Sequence, residues 1–217
     1  MPVSRRTLLA LSGGLAGALA TPAWAQDATL TNASPTNVSP TGERAIGDPK
    51  APVSVMEFFS LTCTHCAAFA RETFPDVRKK LIDTGKLHYI FRDFPLDRVA
   101  LLGEMVARTL PPDRYEPFLL AMFQTQDRWA FAQGVNSTEE IGKMAALAGL
   151  SHAAFEKVIH DDKLRAWVLA EQAAAEKKYN VNSTPTFVFN GPKAKNLVRP
   201  GEMPYADFEK LVVQAAG

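Results

Sequence analysis

Apolar positions fall into a short series of recognisable patterns. Val53-Ser54-Val55-Met56-Glu57-Phe58-Phe59 is β-rich and bounded by Pro52 and Ser60, the signature of a buried strand, with Glu57 the one charge inside it. After residue 63 the period changes. Phe69, Ala70, Phe74, Val77 and Leu81 recur at helical spacing, which predicts a helix through about Ile82, kinked at Pro75. Thr84-Gly85 interrupts it, and Leu87-His88-Tyr89-Ile90-Phe91 predicts a second strand.

A helix-rich stretch follows, from about 97 to 178. Val99, Leu101, Leu102, Met105 and Val106 form one face, and Pro111-Pro112 breaks the chain. Tyr115, Phe118, Leu119, Met122 and Phe123 form the next, at i, i+3, i+4, i+7 and i+8. Ser137 and Glu140 match a capping box ahead of Ile141, Met144 and Leu147, and Gly149 closes that helix. Phe155, Val158 and Ile159 predict a short helix, and Leu164, Trp167, Val168 and Ala175 a longer one. These stripes read as core. The chain then returns to β character at Thr186-Phe187-Val188-Phe189. Asn190-Gly191 signals a hairpin turn, Leu197-Val198 is the expected partner strand, and Tyr205 to Ala215 is a last amphipathic helix.

The first 45 residues have a different character. Arg5-Arg6, an apolar run from Thr7 to Ala20 and Ala23-Trp24-Ala25 predict a signal peptide over residues 1–25, cleaved after Ala25, and hence an exported protein. Ser4-Arg5-Arg6-Thr7-Leu8-Leu9 also resembles a twin-arginine signal, so the Sec and twin-arginine routes both stay open. Residues 26–44, rich in Thr, Asn, Ser and Pro, predict a flexible linker. The order of elements fits an α/β protein: a thioredoxin-like domain from residues 45–96 and 179–217, with an inserted helical domain over 97–178.

With 47% apolar residues, 22% charged residues and a formal net charge of +1, the 217-residue chain reads as an ordinary globule. It lacks the basic stripe that a nucleic-acid partner would call for.

The two cysteines, the only ones in the chain, form Cys63-Thr64-His65-Cys66 at the first strand-to-helix junction. No other intramolecular disulfide is possible. A zinc site would need two further ligands, and His88, His152 and His160 show no paired spacing. Covalent haem would need His immediately after Cys66, where Ala67 stands. An inert staple closing so short a loop would add little. That leaves redox chemistry with no cofactor and no metal. Cys63 at a helix N-terminus, with His65 and the Cys66 thiol as donors, should ionise easily. Stabilising the thiolate stabilises the reduced pair and makes the disulfide the stronger oxidant. Cys63 is then the nucleophile and the more exposed sulfur; Cys66, one turn on, is the buried resolving thiol.

The run from Val55 to Cys66 resembles the DsbA family of periplasmic thiol-disulfide oxidoreductases, and Tyr179-Asn180-Val181-Asn182-Ser183-Thr184-Pro185-Thr186-Phe187 is similar to that family's cis-proline segment. The resemblance implies a thioredoxin-like fold with an inserted all-helical domain. It implies catalytic roles for Cys63, Cys66, His65 as thiolate stabiliser and Glu57 as a buried acid assisting proton transfer. Thr64, Thr184 and Pro185 would line the substrate site, with the Thr184-Pro185 bond cis. It further implies unfolded exported polypeptides with free thiols as substrates, a membrane DsbB-like reoxidant, and a monomer. Thr64 replaces the family's usual Pro, and Ala67 stands where a bulkier aromatic is frequent. The same fold also serves disulfide reductases and isomerases, and the groove beside Pro185 would suit a peptide-binding holdase. Those are the alternative readings.

Overall fold

The computed structural model describes residues 39–217. The signal peptide over 1–25, its cleavage after Ala25 and most of the 26–44 linker lie outside the described residues. A five-stranded sheet runs in the order β1-β3-β2-β4-β5. Its strands are β1 (Arg44–Ile46), β2 (Val53–Phe59), β3 (Leu87–Asp93), β4 (Thr186–Asn190) and β5 (Leu197–Pro200). β2 and β3 are parallel, whereas β1, β4 and β5 each join their neighbours antiparallel.

β2 sits at the centre because both its faces are apolar. Val53, Val55 and Phe59 enter the main core with Leu87, Tyr89, Phe91, Phe187 and Phe189. Phe58 turns to the other face and packs with Phe94, Ala175, Val181 and Val188. On the main face, helix α1 (Thr64–Glu72) buries Phe69 against Phe187 and Phe208, with ring centroids 4.7 and 5.8 Å away. Phe208 belongs to α9 (Tyr205–Ala216). Each such aromatic contributes roughly 1.5–3 kcal/mol by leaving water, and together they fix α1 over the sheet.

The predicted 63–82 helix is not one kinked rod. α1 ends at Thr73, α2 spans Phe74–Val77, and Arg78–Ile82 continues as a π-helical turn. Pro75 has no N–H and its ring would clash with the carbonyl one turn back, so the chain restarts with Pro75 in the first turn of a new helix.

Between β3 and β4 run α3 (Arg98–Thr109), α4 (Pro112–Gln124), α5 (Gln126–Trp129), α6 (Ser137–Leu147), α7 (His152–Ile159) and α8 (Asp162–Tyr179). The expected capping box of α6 is replaced by a cap one residue earlier: Asn136 accepts from the amides of Thr138 and Glu139. β4 and β5 do pair antiparallel, but through residues 191–196 rather than a two-residue Asn190-Gly191 turn. Asn196 takes the left-handed conformation there, at φ 53°, and its amide bonds the Asn190 side chain. No helix among the described residues is long and apolar enough to cross a membrane.

The end of the predicted linker is ordered. Arg44 begins β1 and is buried, and the carbonyls of Pro40 and Gly42 accept from Nη1 of Arg108. Arg108 itself is buried in α3, where it pairs with Asp93 and lies 4.4 Å over the Trp167 ring. A buried guanidinium needs every donor satisfied, and backbone that is polar in sequence supplies the acceptors.

Candidate active site

The site is built where β2 ends and α1 begins. Cys63 is the N-cap of α1, with extended backbone (φ −79°, ψ 120°), and its sulfur accepts from the Cys66 amide at 3.4 Å. The sulfur thus does what a Ser or Asp oxygen does at an ordinary N-cap. The ordinary thiol value of 9.0 falls to about 5, first through the hydrogen bond from the Cys66 thiol, against burial, and then through Thr184 and the Cys66 and His65 amides. Cys66 moves the opposite way. Burial raises its thiol well above 9.0, and the hydrogen bond to Cys63 and the charge of Glu57 add to that. The two sulfurs are therefore unequal: one ionised at neutral pH, the other a thiol. Both are largely covered, Cys63 at 7% exposure and Cys66 at 0%, so Cys63 is the more exposed residue of the pair.

The loop before β4 closes over Cys63. The Thr184-Pro185 bond is cis, and the Cys63 thiol lies 3.2 Å from the Thr184 carbonyl, to which it donates when protonated. Buried Thr184 Oγ1 has no other partner among the described residues and can turn its hydrogen onto the sulfur once ionised. Pro185 is buried, whereas Thr64, next to Cys63 in the chain, is exposed.

Glu57 lies on β2 beneath the pair, in register with Phe91 on one side and Phe187 on the other. It is 4% exposed and accepts a 2.7 Å hydrogen bond from the Tyr89 hydroxyl. Burial lifts its carboxyl from 4.5 to about 7, although the Tyr89 bond opposes the rise.

The structure departs from the expected role of the His65 ring. The imidazole points outward, and its Nδ1 donates to Glu202 Oε1 at 3.1 Å. Its pKa is raised by that bond and by the Glu202 charge, with Cys63 the smallest contributor. What His65 gives the sulfur is mainly its backbone N–H at the helix start.

Sequence reasoning missed four residues here: Tyr89, Glu202, Glu104 and Gln126. Each lies more than 20 positions from the residue it contacts and carries no motif. Among the described residues, no group of three or more His, Cys, Asp and Glu could hold a metal ion.

A family model described as thioredoxin matches residues 39–209. A chain of Rickettsia prowazekii, provisionally named a protein-disulfide oxidoreductase, is 30% identical over 155 residues, which cover 71% of this chain and 56% of that one. Disulfide bond formation protein D of Bacillus subtilis is 24% identical over 182 residues, 78% of this chain and 74% of its own. The chain thus spans little more than half the length of the rickettsial relative. Among solved structures, α-DsbA1 of Wolbachia pipientis aligns with a TM-score of 0.75 and 31% identity over 81% of this chain and 92% of its own.

Proposed function

The chain belongs to the thioredoxin-like family of DsbA-type protein-disulfide oxidoreductases, and on that premise we propose that it donates the Cys63-Cys66 disulfide to exported polypeptides in the periplasm. The observation that carries the direction of flow is the inequality of the two sulfurs. A thiolate held at Cys63 stabilises the dithiol form, so electrons flow toward this pair. Lowering the Cys63 value from 9.0 to about 5 raises the weight of the reduced form at neutral pH ~100-fold. At about 30 mV per tenfold, that makes the disulfide ~60 mV more oxidising.

In the reaction a substrate thiolate attacks Cys63 Sγ of the disulfide. The new bond joins substrate sulfur to Cys63, and the bond to Cys66 breaks. Cys66 leaves as a thiolate and takes up a proton, for which Glu57, titrating near neutrality, is the nearby buried acid. A second substrate thiolate then attacks the substrate sulfur and releases Cys63 as a thiolate, which the helix start and Thr184 stabilise. Two electrons pass from the substrate dithiol to the Cys63-Cys66 pair. Thr64, next to Cys63 in the chain, and the Thr184-Pro185 loop, whose Thr184 carbonyl lies 3.2 Å from the Cys63 sulfur, would hold the extended substrate. A membrane DsbB-like partner would take the electrons onward.

Trapping tests this. Cys66→Ser, given a mixed-disulfide reagent and then a reduced unfolded polypeptide with a single thiol, should accumulate a stable adduct through Cys63, while Cys63→Ser should form none. Net oxidation of a polypeptide with two thiols by the wild-type disulfide should be stoichiometric. If Cys63→Ser protected unfolded polypeptides in full while wild type oxidised none, the protein would be a holdase instead.

A further inference from the structure

Helices outside the thioredoxin-like sheet hold the main chain that carries the nucleophile. Gln126, at the start of α5, is 4% exposed, and its Nε2 donates to two carbonyls at once: Leu61 at 2.7 Å and Cys63 at 3.0 Å. The Leu61 amide, the other backbone polar group of the same residue, donates to Oε1 of Glu104 in α3 at 3.1 Å. Gln126 is itself held firmly. Trp129, one turn on and buried, donates its indole N–H to the Met122 carbonyl at 2.8 Å, and Thr125 Oγ1 bonds the Ala121 carbonyl at 2.9 Å.

The Cys63 carbonyl already accepts from the Ala67 amide at 3.1 Å, as the first bond of α1. A second donor there is not needed to satisfy a buried acceptor. It fixes the direction of that carbonyl, and with it ψ of Cys63 at 120°, the extended N-cap setting from which Sγ faces the Cys66 amide. We infer that Gln126 is a positioning residue for the Cys63 nucleophile: its two-pronged hold on Leu61 and Cys63 keeps the sulfur in line with the donors that stabilise its thiolate. The carboxamide bonds the Leu61 and Cys63 carbonyls and not the sulfur, so it acts through the backbone. The inference rests on the proposed thiol–disulfide chemistry of Cys63.

The test compares reduced wild type with Gln126→Met, which keeps the length and loses both donors. Cys63 ionisation is followed by thiolate absorbance, and its alkylation by iodoacetamide is timed across the same pH range. Fold is checked by near-ultraviolet circular dichroism. Losing these two hydrogen bonds should leave the variant folded, raise the Cys63 midpoint, and slow alkylation in mild acid ~3- to 10-fold. A folded variant whose midpoint and rate match wild type would overturn the inference, leaving Gln126 as ordinary core. Should Gln126→Met not fold, the wild-type protein decides. Its Gln126 side-chain amide protons should exchange slowly and shift with the same midpoint as Cys63; fast exchange or no shift would overturn the inference. If wild-type Cys63 forms no thiolate below neutral pH, the functional reading fails first, and this one with it.

Discussion

The Tyr89 hydroxyl donates to Glu57 Oε2 across 2.7 Å, joining the two parallel strands beneath the cysteine pair. The bond holds a buried carboxyl at the edge of ionisation. Burial alone would push Glu57 above about 7, and Tyr89 restrains it. Tyr89→Phe should therefore raise the Glu57 midpoint. Carboxyl-specific infrared titration of the reduced protein checks this; an unchanged midpoint would separate Tyr89 from the site.

Glu57 also makes a stability prediction. Its folded-state value lies above the ordinary 4.5, so the folded protein favours the neutral acid. Nothing is lost below pH 4.5, and the cost grows as pH rises through about 7. Glu57→Gln removes that cost. The variant should be more stable than wild type above neutrality, by at most about 3 kcal/mol, and the gap should close in acid. Urea unfolding at several pH values measures it.

Cys63 has the opposite sign. A depressed folded-state value stabilises the reduced protein at and above neutral pH, and that contribution is lost as pH falls through about 5. The reduced form should therefore be more stable than the disulfide form at neutral pH, and the advantage should shrink on acidification. Thermal unfolding of both redox forms across this range is the check; a disulfide form stabler throughout would contradict it.

Glu202→Gln should lower the His65 midpoint toward its ordinary value, because the hydrogen bond and charge of Glu202 are what raise it. Both side chains are exposed, so the effect should weaken with added salt. Cys63 should change little, since the His65 ring bonds Glu202 rather than the sulfur. Imidazole resonances followed by NMR report both.

Arg108 ties α3 to Asp93, to Trp167 and to the backbone at Pro40 and Gly42. Arg108→Leu strands a buried carboxylate and should cost about 3–5 kcal/mol. It should also release residues 39–44, making that segment newly sensitive to protease.

The chain displayed some of this plainly. β2 was legible to the residue because Pro52 and Ser60 bracket a β-rich, largely apolar run, and the CxxC announced itself by sequence adjacency. α1 and α9 were legible from period. Other features were not. β1 is three residues long and its Arg44 is buried by partners some 64 positions away, so local composition read as linker. The break at Thr73 depended on how Pro75 restarted the helix rather than bent it. Glu57 stood out as a charge within a strand, but Tyr89, Gln126 and Glu104 became part of the site only through folding. Where the His65 ring points was decided by Glu202, 137 positions on.

The central claim is that the Cys63-Cys66 disulfide is a donor. Equilibration of the pair against graded mixtures of reduced and oxidised glutathione measures this directly. The account predicts a potential well above that of thioredoxin, about −270 mV, and displaced toward that of DsbA, about −120 mV. A value at or near thioredoxin's would contradict it and make the protein a reductant.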